Sequence, residues 1–67
     1  MRITVNGEER EVDDGLSVRG LLALLSIKEA RVAVEVNLDV IRRDKLDDRI
    51  LREGDRVEIV SFVGGGV

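Results

Sequence analysis

The chain has 67 residues, 43% hydrophobic and 37% charged, enough for one small core and too little for a second domain. Eleven basic against 14 acidic side chains leave a net charge of −3, which argues against non-specific nucleic-acid binding, because phosphate neutralisation needs a basic surplus. Cysteine and histidine are both absent, which excludes disulfides, a thiolate nucleophile, a cysteine-type zinc site and a Ser-His-Asp triad.

Met1-Arg2-Ile3-Thr4-Val5 gives way at once to polar residues, so no signal-peptide apolar stretch is expected. The longest apolar run, Leu21 to Leu25, is far short of a membrane span. The expected location is the cytoplasm.

Asn6-Gly7 lies between two alternating runs and predicts a hairpin, since both central residues of a type I′ turn need positive φ. A two-residue loop pairs Val5 with Glu8, Thr4 with Glu9, Ile3 with Arg10, Arg2 with Glu11 and Met1 with Val12. That register gathers Met1, Ile3, Val5 and Val12 on one face and sets Arg2 opposite Glu11 on the other. After the Asp13-Asp14-Gly15 turn, Ser17 is the expected N-cap of a helix. Val18, Leu21, Leu22 and Leu25 fall on one helical stripe, and the helix is expected to end near Leu25 or Ser26. Arg31 to Asn37 reads as a strand with Val32, Val34 and Val36 on one face and Ala33 and Glu35 on the other. Asn37-Leu38-Asp39 is a turn, Val40 to Arg42 a short returning strand, and Asp44 to Asp48 a single helical turn around Leu46. Glu53-Gly54-Asp55 turns into a last strand, Arg56 to Phe62, with Val57 and Ile59 on one face and Val60 and Phe62 on the other.

Hairpin, helix, strand, short strand and strand make an α+β chain. One helix covers one face of a mixed sheet of four to five strands, which is the β-grasp arrangement, with the last strand at the centre beside the first. The expected domain is 1–62, followed by a flexible glycine tail, 63–67.

Side-chain chemistry is scarce. Asp13-Asp14, Asp44, Asp47-Asp48 and Asp55 are the carboxylate candidates. The run Asp44 to Asp48 lacks the glycine of a calcium loop and carries interleaved cations, so these read as solvated turn residues. No pair sits in an apolar stretch that would separate two pKa values, so acid-base catalysis is unsupported. Gly64-Gly65-Gly66 cannot be a phosphate loop without a following helix. It reads either as an idle chain end or as a working one. Five extended residues from Phe62 to Gly66 would reach roughly 17 Å. A tail without side chains can thread a narrow channel, and its one reactive group would be its own terminal carboxylate.

With Ile3-Thr4-Val5-Asn6-Gly7, Val34-Glu35-Val36-Asn37, Val40-Ile41-Arg42-Arg43, Leu51 to Ile59 and the terminal glycines in view, the chain resembles the ThiS family over nearly its whole length. These are ubiquitin-like β-grasp sulfur carriers of thiamine biosynthesis. The resemblance implies a carrier and not an enzyme. An adenylating enzyme related to ubiquitin activators would use ATP to convert the Gly66 carboxylate to an acyl-adenylate. Sulfur drawn from cysteine by a desulfurase would then give a thiocarboxylate, and thiazole synthase would take that sulfur. Gly65 and Gly64 would be the slender lead into each active site. No bound cofactor and no metal is implied.

Counted from Gly54-Asp55, the family's terminal pair falls on Gly65-Gly66, so Val67 is one residue too many. A β-branched side chain there is expected to block activation of the intact chain. A cloning remnant, a residue removed by proteolysis and a different sulfur or modifier pathway are all open. Phe62, the sole aromatic, and Val60, with Ala33 beside them, are expected to form an apolar partner surface if the helix covers the other face; the alternative is that Phe62 closes the core edge. Two rival functions share the fold: a carrier for molybdopterin or another pathway, and a ubiquitin-like interaction module with an idle tail.

Overall fold

The computed structural model describes residues 1–62. Strand β1 (Arg2–Val5) and strand β2 (Glu8–Glu11) form the predicted hairpin in the predicted register, Arg2 opposite Glu11 through Val5 opposite Glu8. Asn6 and Gly7 take φ of 50° and 86°, the double left-handed pair that a type I′ turn requires. Met1 and Val12 prolong the ladder: the terminal ammonium donates to the Val12 carbonyl at 2.7 Å, and the Val12 N–H donates back at 2.9 Å. Arg2 meets Glu11 across the strands at 3.2 Å.

Helix α1 spans Val18–Leu24. A helix start leaves its first amides without intrahelical partners, and here each one finds an acceptor. The Ser17 hydroxyl accepts from Gly20 N–H at 2.9 Å, while Val18 and Arg19 donate to the carbonyls of Arg49 and Leu46 at 2.9 and 3.0 Å. The helix stops one residue before the expected boundary, with Leu25 as its cap. Ser26 takes φ 59°, its N–H reaches the Ala23 carbonyl, and Ile27 N–H reaches that of Leu22 at 2.9 Å. This is a Schellman closure with serine where glycine is usual, so no glycine marks the end. Val18, Leu21 and Leu22 are buried as the stripe predicts, whereas Leu25 is half-buried at the cap.

A 3₁₀ turn (Glu29–Arg31) leads into strand β3 (Val32–Val36), then strand β4 (Asp39–Ile41), a second 3₁₀ turn (Arg43–Lys45) and strand β5 (Arg56–Ser61). β2, β3 and β5 are shorter than the sequence reading by their end residues, and β4 lies one residue earlier, because Asp39, expected in the turn, pairs with Val36. Asn37 and Leu38 form a second two-residue hairpin turn, with φ of 52° and 74°. Leu38 thus holds a left-handed conformation that disfavours a side chain, and it is largely exposed.

The sheet order is β2-β1-β5-β3-β4. β5 runs parallel to β1 and antiparallel to β3. The last strand therefore lies at the centre beside the first, with α1 on one face, and the fold is a β-grasp. Ile3, Val5, Val32, Val34, Val36 and Val57 meet Val18, Leu21 and Leu22 in one core, closed by Leu46 and Leu51 from the long β4–β5 connection. Leu51 N–H donates to the Leu16 carbonyl at 2.8 Å, which ties that connection to the helix start.

One carboxylate departs from the solvated-turn reading. Asp13, Asp14, Asp44, Asp47 and Asp48 are exposed, but Asp55 is 7% exposed. Its two oxygens accept from Arg52 N–H at 2.8 Å and Asn37 Nδ2 at 2.9 Å, with the Arg49 guanidinium at 3.4 Å. A buried charge persists only when it is paired and hydrogen-bonded in this way.

Candidate functional site: the end of the central strand

β5 is the element that leads into the glycine stretch, and three devices hold it. It is hydrogen-bonded on both edges, and each hairpin turn adds an asparagine that clips onto its backbone. Asn6 Oδ1 accepts from Ile59 N–H at 2.7 Å while its Nδ2 donates to the Ile59 carbonyl at 3.2 Å. Asn37 Oδ1 accepts from Arg56 N–H at 2.9 Å, and Asn37 N–H donates to the Arg56 carbonyl at 2.8 Å. A carboxamide side chain carries a peptide's donor and acceptor, so each asparagine acts as an extra ladder rung. Asparagine also tolerates positive φ better than other residues with a side chain. Sequence reading assigned Asn6 to a turn and Asn37 to the end of a strand and the turn after it. The detectable signal was an asparagine heading each of two hairpin turns.

At its far end, β5 alternates sharply. Val57 is fully buried and Ile59 half-buried on the helix face. Val60 and Phe62 point the other way and are 53% and 52% exposed, with Ala33 half-buried directly opposite Val60. Val40, on the edge strand, extends this exposed apolar strip. Phe62 is half in solvent and borders a hollow of about 200 Å³ whose walls include Leu22, Val32 and Leu46 of the core as well as Ala33 and Val40. Its N–H donates to the Arg31 carbonyl at 2.8 Å, and this is the last backbone bond of the ladder among the described residues. Gly64, Gly65 and Gly66, and with them the expected flexible tail 63–67, lie outside the described residues.

The remaining polar clusters are structural. Arg19 bridges Glu29 and, at 2.7 Å, Asp47, which ties α1 to two connections. Its hydrogen bond to Glu29 is the main influence raising its pKa above the ordinary arginine value, with burial opposing and Asp47 assisting. Among the described residues, no group of three or more acidic, histidine or cysteine side chains is placed to hold a metal ion. No helix there is long and apolar enough to cross a membrane.

A β-grasp domain with a firmly held central strand and an exposed apolar strip at that strand's end defines a ubiquitin-like class of protein. Within that class, the ThiS family model matches residues 3–66, and the chain belongs to the ThiS family. Gly66 is the last matched residue, and Val67 lies beyond it. The chain is 33% identical to the sulfur carrier protein ThiS of Thermus thermophilus, over 96% of this chain and 98% of that protein. It is 38% identical to a thiazole synthase of Paramagnetospirillum magneticum across 98% of its own length. It spans about a fifth of the length of that protein and of a second thiazole synthase, from Magnetococcus marinus. Among solved structures, the thiamine biosynthesis protein ThiS of Geobacter metallireducens superposes with a TM-score of 0.84 at 40% identity, covering 98% of this chain and all of that one.

Proposed function

We propose that this ThiS-family chain is a sulfur carrier of thiamine biosynthesis, a protein substrate and not a catalyst, with the Gly66 carboxylate as the site of chemistry. The observation that carries the reading is the family match running through the glycine stretch to Gly66, on a fold whose central strand leads directly into it. The domain offers no histidine or cysteine for catalysis, so the chemistry belongs to its partners.

In the first step a carboxylate oxygen attacks the α-phosphorus of ATP held by a ubiquitin-activator-like adenylating enzyme. Pyrophosphate leaves, and a poor electrophile becomes a mixed anhydride. In the second, the terminal sulfur of a persulfide made by a cysteine desulfurase attacks the carbonyl carbon and expels AMP, and a thiol reductant then cleaves the acyl disulfide to leave the thiocarboxylate. The thiocarboxylate delivers its sulfur to thiazole synthase. The name borne by the longer relatives supports that choice of acceptor. Gly64 and Gly65 pass where side chains would clash, and Val60 and Phe62 supply the apolar docking strip. The cytoplasm, where ATP and cysteine are at hand, is the proposed location.

The test is reconstitution. A chain ending at Gly66, one ending at Val67 and one lacking Gly66 are each incubated with ATP, cysteine, a desulfurase, a thiol reductant and the adenylating enzyme, then weighed intact. Exchange of one oxygen for sulfur in the first chain and none in the third is expected. A first chain that stays unmodified while a ThiS control is converted overturns the reading.

A further inference from the structure

The opposite side of the end of β5 carries a groove of about 670 Å³ between the β1–β2 hairpin, the end of α1 and the residues after it. Its walls include half-buried Leu25, Ile27 and Ile59. Three exposed cations line it, Arg10, Lys28 and Arg31, against a single acid, Glu8. In a chain of net charge −3 this is a local basic surplus. Among the other cations, Arg2, Arg19, Arg42, Lys45 and Arg49 each meet a carboxylate, while Arg43, Arg52 and Arg56 stand apart from the groove. None of the three groove cations forms an ion pair among the described residues.

On the outer face Arg56 shares β5 with Glu58, and toward the end of the strand Glu35 stands directly across from Glu58, next to Ala33 and Val60, where like charges repel. The end of β5 is therefore flanked by an acidic, apolar face on one side and a basic, apolar groove on the other. Ser61, the last residue of β5, lines the groove itself, so the groove reaches the end of the strand. Desolvated charge pairs of this kind fix the orientation of a partner more than they add raw affinity.

From this arrangement we infer that the groove is a second docking surface, taking an acidic protein segment that carries an apolar side chain, supplied by the thiazole synthase that receives the tail. The inference rests on the function proposed above. A partner that engages both sides of β5 holds the glycine stretch in one orientation, since the two sides differ in charge.

The test is isothermal titration calorimetry of thiazole synthase with three forms of the full chain: unaltered, R10E/K28E, and K45E/R52E. The last reverses two exposed cations that line neither the groove nor the hollow beside Phe62 and matches the change in net charge. Amide NMR spectra check the fold, and the single reversals replace the double if it fails to fold. The groove variant is expected to bind about tenfold or more weakly, the matched control within about threefold of the unaltered chain, and added salt to weaken the unaltered chain more than the groove variant. Equal affinities for all three, or an equal loss in both variants, overturn the inference while leaving the carrier reading intact. An unaltered chain that thiazole synthase does not bind at all overturns the reading of the partner itself, and this inference with it.

Discussion

The two ends of β5 belong to one strand and are built for different tasks. At its start, Val57 is sealed in the core, Arg56 is bonded on both backbone groups to Asn37, and the same asparagine reaches the buried Asp55. At its end, Val60 and Phe62 stand half in solvent, and a single backbone bond to Arg31 holds Phe62. A small domain has little stability in reserve, roughly 3–10 kcal/mol at this length. Concentrating the anchoring at one end leaves the other free to be covered by a partner without weakening the fold.

Substitutions that break this division are expected to fall in a definite order. Val57→Ala removes two methyl groups from a site with no solvent access, so it should cost about 2–3 kcal/mol of unfolding free energy in urea melts. Asn37→Ala comes next, at about 2 kcal/mol, because it strips donors and acceptors from the buried Asp55 and from Arg56 N–H. Asn6→Ala breaks the matching clip on Ile59, but in an exposed setting, and about 1 kcal/mol is expected. Both asparagine changes carry the same added cost of placing alanine at positive φ, so the difference between them measures the Asp55 network. A larger effect at Asn6 than at Asn37 would show that the network adds nothing.

Phe62→Ser lies at the bottom of the stability order, within about 1 kcal/mol, since the side chain is already half in water. It should nonetheless weaken binding of the activating and acceptor enzymes by about tenfold or more, as loss of an apolar anchor does. Loss of folding with binding per folded molecule unchanged would make Phe62 a structural residue after all. The pair Val57→Ala and Phe62→Ser thus separates the two faces of one strand: one changes stability, the other partner affinity.

The first hairpin, the start of α1 and the alternation of β3 and β5 were legible because each depends on residues a few positions apart. Asn6-Gly7 dictates its turn, Ser17 caps the next turn of chain, and valines two apart share a face whatever lies around them. The exposure of Val60 and Phe62 followed from that alternation plus one count: a single helix covers a single face. The end of α1 was legible only to within a residue, because serine and not glycine took the left-handed position. The burial of Asp55 was not legible in its turn, because its partners Asn37 and Arg49 lie outside that turn. Leu51 gave no periodic signal from within an irregular connection.

By itself the sequence determined the strand pattern, the hairpin register, the helix and the glycine stretch that marks where chemistry could occur. These depend on backbone preferences and side-chain periods that act over a single turn of chain. Only the tertiary structure decided which carboxylate is buried, which asparagines clip the central strand, and which cations line a common groove. Asn6 and Ile59 stand 53 residues apart in sequence, as far as the chain topology allows, and no local preference encodes that contact. It exists because the core brings β1 and β5 side by side in parallel, a pairing that, like that of β5 with β3, no short turn can make.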